Sequence, residues 1–261
     1  MHSTRFTVLF AAAVCVVCSI FVAGAAVLLK DQQEANKLLD RQSKVLDVAG
    51  LIGEDEELSS KEISARYAQN IKPVLIDLAT GAPSEGDVTT FDQRKTAADP
   101  ATSRAAPPND AKVARLPNQA VVFKVEDNGQ LKGLVLPIEG KGLWSTLYGY
   151  LALRADAKTI EGITFYEHGE TPGLGGEIDN PRWKALWTDR LAFDASWHPN
   201  ISVKKGPAGS AKEDPFHVDG LSGATITSRG VTSLVHFWLG DNGFGPFLKD
   251  YRAKNLATTS L

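Results

Sequence analysis

An apolar segment near the N-terminus limits what the rest of this chain can be. Residues 6–29 contain no charged side chain, with Arg5 before them and Lys30 after them. A helix of this length, at ~1.5 Å per residue, spans the ~30 Å hydrocarbon core of a bilayer. We therefore expect an uncleaved anchor that crosses a membrane once. A cleavable signal peptide, with the small residues 23–25 at its cleavage site, is the alternative.

The composition of the whole chain excludes several classes of protein. Of the 261 residues, 43% are hydrophobic and 23% are charged, which fits neither a disordered chain nor a protein built only of membrane helices. The net charge of −3 argues against binding to nucleic acid. Two cysteines exclude a four-cysteine zinc or iron–sulfur site. Both of them, Cys15 and Cys18, lie in the apolar segment, where we interpret them as small apolar residues.

The basic residues that flank the apolar segment bear on its orientation. Lys30, Lys37, Arg41 and Lys44 follow the segment, whereas Arg5 precedes it. The cytoplasmic flanks of membrane helices are enriched in Lys and Arg, and interleaved acidic residues count for little in this rule. The charge count alone therefore favours a cytoplasmic C-terminal part.

The chain divides into three regions by its patterns. Residues 1–29 are the anchor. Residues 30–118 contain a stalk helix over 31–49, a short helix from a cap at Ser59 to Asn70, a strand within 74–81, and a proline-rich excursion over 82–118 with little core of its own. Residues 119–255 form the main soluble domain.

The soluble domain mixes strands with isolated helices. Strands at 119–126 and 131–139 flank the hairpin turn Asp127-Asn128-Gly129, and 159–167 alternates as a strand does. Asn180 and Pro181 precede a helix over 182–193, a short strand covers 201–206, and 228–239 is the last clear helix. These patterns predict an α+β fold in which one transmembrane helix precedes a soluble domain of mixed sheet and helix.

The segment 219–228, DGLSGATITS, suits a phosphate group. It stands before the last helix, and the start of a helix has unpaired N–H groups and a partial positive charge. Glycines and Ala224 allow close backbone approach, and Thr225 offers a hydroxyl there. Ordinary helix capping by Ser222, Thr225 or Thr227 is the alternative. The lysine of a Walker A loop is missing.

Two further segments are candidate walls for a planar ligand. The first is the glycine-rich loop 168–177, where Leu174 lies between glycines and where Glu170 and Glu177 form a possible pair of carboxylates. The second is the aromatic segment 141–150, which includes Trp144. No second histidine lies at metal-binding distance from His168 along the sequence, so we predict no metal site.

These motifs occur together and in order in one known family. The sequence resembles the C subunit of the sodium-translocating NADH:quinone oxidoreductase of bacterial membranes and is similar, more distantly, to the G subunit of the Rnf electron-transport complex. Both contain a flavin-binding domain with the motif Asp-x-x-Ser/Thr-Gly-Ala-Thr, here residues 219–225. The glycine loop 169–175, the segment Gly142-Leu143-Trp144-Ser145 and the anchor with its stalk match as well. The match covers nearly the whole chain.

The resemblance implies a site and a cofactor. Thr225 would carry FMN through a phosphoester bond, installed by a flavin transferase that uses FAD and Mg²⁺. Asp219 and Ser222, with Gly223 and Ala224 between them and the threonine, would belong to the segment that the transferase recognises. The side chains that would flank the isoalloxazine are those of Trp144, Glu170, Thr171 and Leu174.

The resemblance also implies a role within a membrane complex. The protein would accept single electrons on its FMN and pass them toward the flavin of the B subunit, while the complex oxidises NADH, reduces ubiquinone and exports sodium. The other partners would be the membrane subunits that handle quinone and sodium, and an NADH-oxidising iron–sulfur subunit. This chain would have no NADH site and no catalytic residue of its own. The family places the flavin domain in the periplasm, against the charge count, and we follow the family.

Three alternatives remain at this point. The first is a relative of the Rnf subunit, with ferredoxin and NAD as the end partners of its complex. The second is an anchored hydrolase with Ser222 or Thr225 as nucleophile, for which only His217 is a nearby base. The third is an assembly or binding module without a cofactor.

Overall fold

The structure is a computed structural model that describes residues 3–53 and 56–259, with side chains as far as Lys254. The chain forms two compact units, one that ends at Arg41 and one that begins at Gln42. The first two residues of the expected anchor lie outside the described residues.

The first unit is helical. Helix α1 covers Thr4–Leu28, and α2 covers Lys30–Val48, so that the end of α2 belongs to the second unit. Ser3 caps α1 by accepting a hydrogen bond from the N–H of Phe6 at 3.4 Å. Helix α1 buries none of its side chains and is long and apolar enough to cross a membrane. The predicted apolar N-terminal helix and the stalk helix are confirmed.

The second unit alternates strands and helices. Its further helices are α3 (Ser60–Asn70), α4 (Gln93–Ala98), α5 (Pro181–Ala185), α6 (Thr225–Leu239) and α7 (Gly245–Thr259), and a 3₁₀ helix covers Gly175–Asp179. Its strands are β1 (Ile71–Asp77), β2 (Ser103–Ala105), β3 (Arg115–Pro117), β4 (Gln119–Asp127), β5 (Gln130–Lys141), β6 (Thr146–Arg154), β7 (Ile160–Glu167), β8 (Ser202–Lys204) and β9 (His217–Asp219).

A five-stranded antiparallel sheet forms the centre of the second unit. Its strand order is β1-β4-β5-β6-β7, so sequential strands are neighbours apart from the step from β1 to β4. The predicted hairpin joins β4 and β5, and Asn128 and Gly129 both have positive φ, 50° and 78°, as a type I′ turn requires. The small pairs β2–β3 (antiparallel) and β8–β9 (parallel) lie outside this sheet. The predicted α+β class is confirmed.

The two faces of the sheet are covered by different helices. Alternate residues of β5 divide between two cores, because successive side chains of a strand point to opposite faces. Leu134, Leu136 and Ile138 share one core with the apolar stripe of α6. Val135 belongs to the second core, which the end of α2 covers. The α2 residues buried there are Val45, Leu46 and Val48.

The excursion over 82–118 is more ordered than the sequence predicts. It contains α4, β2 and β3, and it buries Ala111, Val113 and Leu116 in the same core as α6. The segment thus contributes to the main core, which the sequence does not predict. The segment is rich in prolines and small residues, so its few buried apolar positions form no recognisable pattern in the sequence. They reach the main core through contacts with distant parts of the chain.

Two helix predictions near the C-terminus also need correction. The predicted helix over 182–193 ends at Ala185, after which the chain continues in i→i−3 hydrogen bonds and then turns at Asp189 with φ of 67°. Trp183 and Trp187 are nevertheless buried, as the spacing of the apolar residues predicts. Helix α7 was missed, because within its described side chains only Phe247 and Leu248 are buried and no regular stripe marks it.

Helix α6 lies very close to the end of β5, and this contact can be tested at Gly230. A β-carbon built there would lie 2.4 Å from the carbonyl oxygen of Lys141. We expect Gly230→Ala to destabilise the fold by about 1–3 kcal/mol through overpacking, although alanine favours a helix interior. Urea unfolding of the detergent-solubilised chain measures this change.

The matched control is Gly53→Ala, where the nearest atom to the new β-carbon is the Cβ of Glu56 at 3.6 Å. This variant should unfold close to the wild-type midpoint. A Gly230→Ala variant as stable as the wild type would show that the contact between α6 and β5 is loose.

Candidate functional site

The N-terminus of α6 is open. Thr225 is its first residue and is exposed, as is Ile226. Ala224 occupies the cap position and supplies no side-chain acceptor, and the structure records no hydrogen bond from the N–H groups of Thr225, Ile226 or Thr227 in the described part of the chain. The alternative of capping by Ser222, Thr225 or Thr227 is therefore not realised. Unpaired N–H groups beside a hydroxyl suit a bound phosphate.

The turn before α6 depends on Gly223. Its φ is 69°, in the left-handed region that favours glycine. A β-carbon there would also lie 2.9 Å from the Cδ2 of Leu174. Gly223 thus lets the backbone turn sharply into the helix and brings the glycine-rich loop close to it.

The segment that leads into this turn is held by the backbone around it. The carbonyl of Asp219, at the end of β9, accepts a hydrogen bond from the indole N–H of Trp183 at 2.9 Å. Its carboxylate accepts one from the N–H of Ala208 at 2.7 Å. Beyond it, the N–H of Leu221 donates to the Oγ of Ser228 at 3.2 Å. The hydrogen bonds of Asp219 therefore hold this segment in place.

Arg190 organises the loop that supplies Ala208. Its guanidinium is 1% exposed and donates to main-chain carbonyls of Leu186 at 3.0 Å, of Gly209 at 2.6 Å, and of Asp214. A buried charge is stable only when its donors are paired, so these carbonyls fix the course of the loop.

The turn at Lys205 lies beside the motif. The N–H of Gly220 donates to the carbonyl of Gly206 at 3.2 Å, which brings the exposed Lys205 next to the segment that begins at Asp219.

A histidine–carboxylate pair is present nearby, but it does not reach a nucleophile. The imidazole of His217 bonds to Asp214 at 2.7 Å, and this bond above all holds the pKa of Asp214 at about 2. Lys204 lies 3.2 Å from the same carboxyl group. Within the described residues, no hydrogen bond joins His217 to Ser222 or Thr225. This arrangement gives no support to a hydrolase.

Glu170 connects the three candidate segments. Its carboxylate accepts hydrogen bonds from the N–H groups of Leu143 (3.2 Å), Trp144 (2.9 Å) and Ser145 (3.2 Å), and from the hydroxyl of Thr227 (2.7 Å). The side chain is buried. Burial raises the pKa of Glu170, but the hydrogen bonds, that of Thr227 first, outweigh it, and the pKa lies below its ordinary value. Glu170 thus connects residues 143–145 of the aromatic segment, which we call the aromatic loop, to the first turn of α6.

The glycine-rich loop is bonded to the same aromatic loop. His168 contacts Asp179 at 2.7 Å through Nε2 and accepts a bond from the N–H of Glu170 at 3.2 Å through Nδ1. The N–H of Gly169 donates to the Oγ of Ser145 at 2.6 Å. The two loops therefore form one assembly.

The suggested pair of carboxylates does not form. The carboxylate of Glu177 accepts a bond from the side-chain amide of Asn180 at 2.7 Å, while Glu170 is occupied by the aromatic loop and Thr227. No group of metal-binding side chains is found among the described residues.

Four exposed apolar side chains surround the start of α6, and we call them the apolar rim. They are Leu143, Trp144, Leu174 and Ile226, with exposed fractions between 40 and 65%. Among the described residues of the second unit, these are the large hydrophobic residues that are exposed. Exposed apolar side chains grouped around polar backbone are typical of a ligand or partner surface.

Thr225 and the apolar rim are exposed at the surface. Cavities of about 740 and 450 Å³ occur elsewhere in the second unit, around Asp47 and around Arg154. At the site, the unpaired N–H groups at the start of α6 lie next to the apolar rim, and Thr171 is exposed in the glycine-rich loop. This arrangement fits a phosphate joined to a planar ring system. Sequence reasoning named Thr227 only as a possible cap and missed Ala208, because only the fold shows which groups these residues contact.

The four hydrogen bonds to Glu170 can be tested with Glu170→Gln. An amide places an N–H₂ donor among groups that already donate, so we expect a loss of about 2 kcal/mol at pH 7. Because the folded-state pKa is below the unfolded value, ionised Glu170 contributes stability above the unfolded pKa, and this contribution is lost as pH falls through the folded pKa. The difference between wild type and variant should therefore shrink in acid, as urea unfolding at several pH values will show.

Glu177→Gln is the control, since its carboxylate accepts a bond from a neighbouring amide and does not join separate loops. It should cost much less at pH 7. Equal losses in both variants would contradict the central position of Glu170.

The chain is similar to several known proteins. The FMN-binding domain family matches residues 142–240, which include the aromatic loop, the glycine-rich loop and α6. The C subunit of the Na(+)-translocating NADH-quinone reductase of Pseudomonas aeruginosa is 48% identical over 255 residues, covering 96% of this chain and 97% of that protein. The corresponding protein of Vibrio vulnificus is also 48% identical, covering 90% of this chain and 91% of that protein.

Solved structures show the same fold. The crystal structure of Shewanella oneidensis NqrC has a TM-score of 0.77 and 38% identity, covering 85% of this chain and 99% of that chain. The crystal structure of the same reductase's C subunit from Parabacteroides distasonis has a TM-score of 0.66 and 30% identity, covering 84% of this chain and 96% of that chain. By its sequence, its fold and its FMN-binding domain, the chain belongs to the family of C subunits of the Na⁺-translocating NADH-quinone reductase.

Proposed function

We propose that this protein is the redox subunit of a Na⁺-translocating NADH:ubiquinone reductase and that it carries FMN esterified to Thr225. The observation that carries the proposal is the exposed hydroxyl of Thr225 at an uncapped helix N-terminus. The N–H groups of the first turn stabilise the phosphate charge that remains after esterification. The match to the FMN-binding domain supports the identity of the ligand.

The attachment would be made by an FAD:protein FMN transferase with Mg²⁺. The oxygen of Thr225 forms a bond to the phosphorus of the FMN moiety, the pyrophosphate bond of FAD breaks, AMP leaves, and the proton of the hydroxyl is released. Ser222 is exposed in the turn before the threonine, so it is accessible to such an enzyme. Asp219 would contribute by holding the motif in place, since its carboxylate is bonded to the N–H of Ala208.

The apolar rim is the proposed contact surface for the isoalloxazine. Trp144 is 65% exposed and Leu174 is 45% exposed, and both lie in loops tied together near the start of α6. Glu170 is buried, so we assign it to positioning these loops and not to direct contact with the ring. Thr171, which is exposed, remains a candidate contact. Bound FMN supplies one-electron transfer, and this chain positions it.

The partners of the proposed redox subunit are those of the whole complex. They are the flavin-containing B subunit, the membrane subunits for quinone and sodium, and the iron–sulfur subunit that oxidises NADH. Sodium export would be a property of the assembly. We assign no NADH site to this chain, because its sequence has no dinucleotide-binding fingerprint.

The names of the similar proteins favour this proposal over a subunit of the Rnf complex, since the relatives from Pseudomonas and Vibrio are both named as C subunits of the NADH-quinone reductase. A module without a cofactor would leave the uncapped helix N-terminus and the apolar rim unexplained.

We further propose a single-pass inner-membrane protein with its flavin domain in the periplasm. Helix α1 supports the single crossing. The orientation rests on the family expectation and stands against the count of basic residues after the span.

Thr225→Ala should abolish covalent flavin. Intact-mass spectrometry of the chain, coexpressed with the transferase, should show an FMN adduct in the wild type and none in the variant. Thr225→Ser keeps a hydroxyl and serves as the control, which we expect to be loaded at least in part. Covalent flavin that persists in denatured Thr225→Ala protein would refute the attachment site.

Cysteine labelling can decide the orientation. Cys15 and Cys18 are the chain's own cysteines, and both lie in α1, so Cys15→Ala with Cys18→Ala gives a cysteine-free background. In it, Lys132→Cys places an exposed thiol on β5 and Ser3→Cys places one before α1. A membrane-impermeant maleimide added to intact cells should label the Lys132→Cys protein and spare the Ser3→Cys protein. The reverse pattern would support the cytoplasmic orientation that the charge count favours.

A further inference from the structure

An arginine that the motif does not include lies one helical turn beyond Thr225. Arg229 and Thr225 are both exposed and both belong to α6. Residues four apart in a helix are neighbours on one face, with Cβ atoms about 5–6 Å apart. Helical side chains lean toward the N-terminus, so the side chain of Arg229 covers the turn in which Thr225 lies.

The position of Arg229 is fixed by its neighbour. Gly230 is packed so closely against the carbonyl of Lys141 that a β-carbon there would lie 2.4 Å from the oxygen. Further along, α6 is held on β5 by Trp238, whose indole N–H donates to the carbonyl of Glu139 at 2.7 Å. This packing holds α6 against β5, so the face of α6 that carries both Thr225 and Arg229 stays exposed.

Arg229 has no partner within the described part of the chain. Six other arginines of the second unit are bound by carboxylates, carbonyls or rings, whereas the exposed Arg182 resembles Arg229 in this respect; the six are Arg66, Arg94, Arg115, Arg154, Arg190 and Arg252. Among the described residues, the guanidinium of Arg229 has no hydrogen-bond partner and no acidic group within 4.0 Å. The first turn of α6 contains no acidic residue that would compete for it.

We propose that Arg229 is the positioning residue for the phosphoester on Thr225. The inference rests on the proposed function and adds a specific partner to it. The phosphodiester has one negative charge and two non-bridging oxygens, and the planar guanidinium donates to such a pair in a bidentate manner. The helix N-terminus supplies only a partial positive charge, and Arg229 supplies the full counter-charge on the exposed side.

Other nearby cations are less suited to this role. Lys204 is bound to Asp214 at 3.2 Å, and the ammonium of Lys141 donates to the carbonyl of Trp144 at 3.1 Å. Lys205 is exposed, but it belongs to the turn beside Gly220 and not to α6. Removal of Lys205 is therefore the proper comparison for removal of Arg229.

The test is ³¹P NMR of the full-length, flavin-loaded protein in detergent. In wild type, rising salt should screen the ion pair, because the Debye length falls from about 30 Å at 0.01 M to about 3 Å at 1 M. We expect the phosphodiester resonance of the wild type to move with salt toward the position that it has in Arg229→Ala. In Arg229→Ala it should stay nearly constant, and Arg229→Lys should lie between the two.

Lys205→Ala removes an equal charge and should keep most of the wild-type salt response. Arg182→Ala, an exposed arginine on α5, controls for net charge. Thermal unfolding of Arg229→Ala without flavin should match the wild type, because the side chain is exposed.

Three results would overturn the proposal. They are an unchanged resonance in Arg229→Ala, a wild-type resonance insensitive to salt, and a salt response lost in Lys205→Ala but kept in Arg229→Ala. Absence of any covalent phosphorus in the wild type is a different failure. It would refute the ester on Thr225, and the role of Arg229 with it.

Discussion

The site depends on one buried carboxylate. Glu170 accepts three backbone N–H bonds from the aromatic loop and a hydroxyl bond from the first turn of α6. The relative positions of the aromatic loop and the glycine-rich loop follow from this side chain and from the hydrogen bond between the N–H of Gly169 and the Oγ of Ser145. Hydrogen bonds to an ionised group are stronger than neutral ones, which suits a carboxylate to this position better than an amide.

The rest of the second unit serves to present this arrangement. The antiparallel sheet provides a rigid base, and α6 is packed on it by its apolar stripe and by the close contact at Gly230. The buried guanidinium of Arg190 orders a loop, the loop supplies the N–H of Ala208, and that N–H holds Asp219. The buried guanidinium and the motif are thus connected by hydrogen bonds between side chains and the main chain. These bonds explain how a segment rich in glycine and small residues keeps a defined course.

Much of the fold and part of the site could be predicted from the sequence. The other features depend on contacts between distant parts of the chain, which a sequence pattern does not show. The hairpin at Asn128, the apolar helix α1 and the stripe of α6 are local patterns, and they were found. The buried positions at Ala111 and Leu116 were missed because their partners are distant in sequence. The short α5 was predicted too long, because tryptophan spacing cannot distinguish a helix from a helix followed by tight turns. Glu170 was identified as a site residue, but its burial and its four donors follow only from the fold.

The openness of the site has a consequence for how any cofactor there must be retained. A ligand lying on an exposed rim loses little of its surface to the protein, and so the free energy available to hold it by contacts alone is small. A ligand held only by these contacts would therefore dissociate quickly. The covalent link proposed at Thr225 would remove the need for such contacts. The surface would then not have to enclose its ligand, and another redox protein could approach the exposed edge of the ring directly.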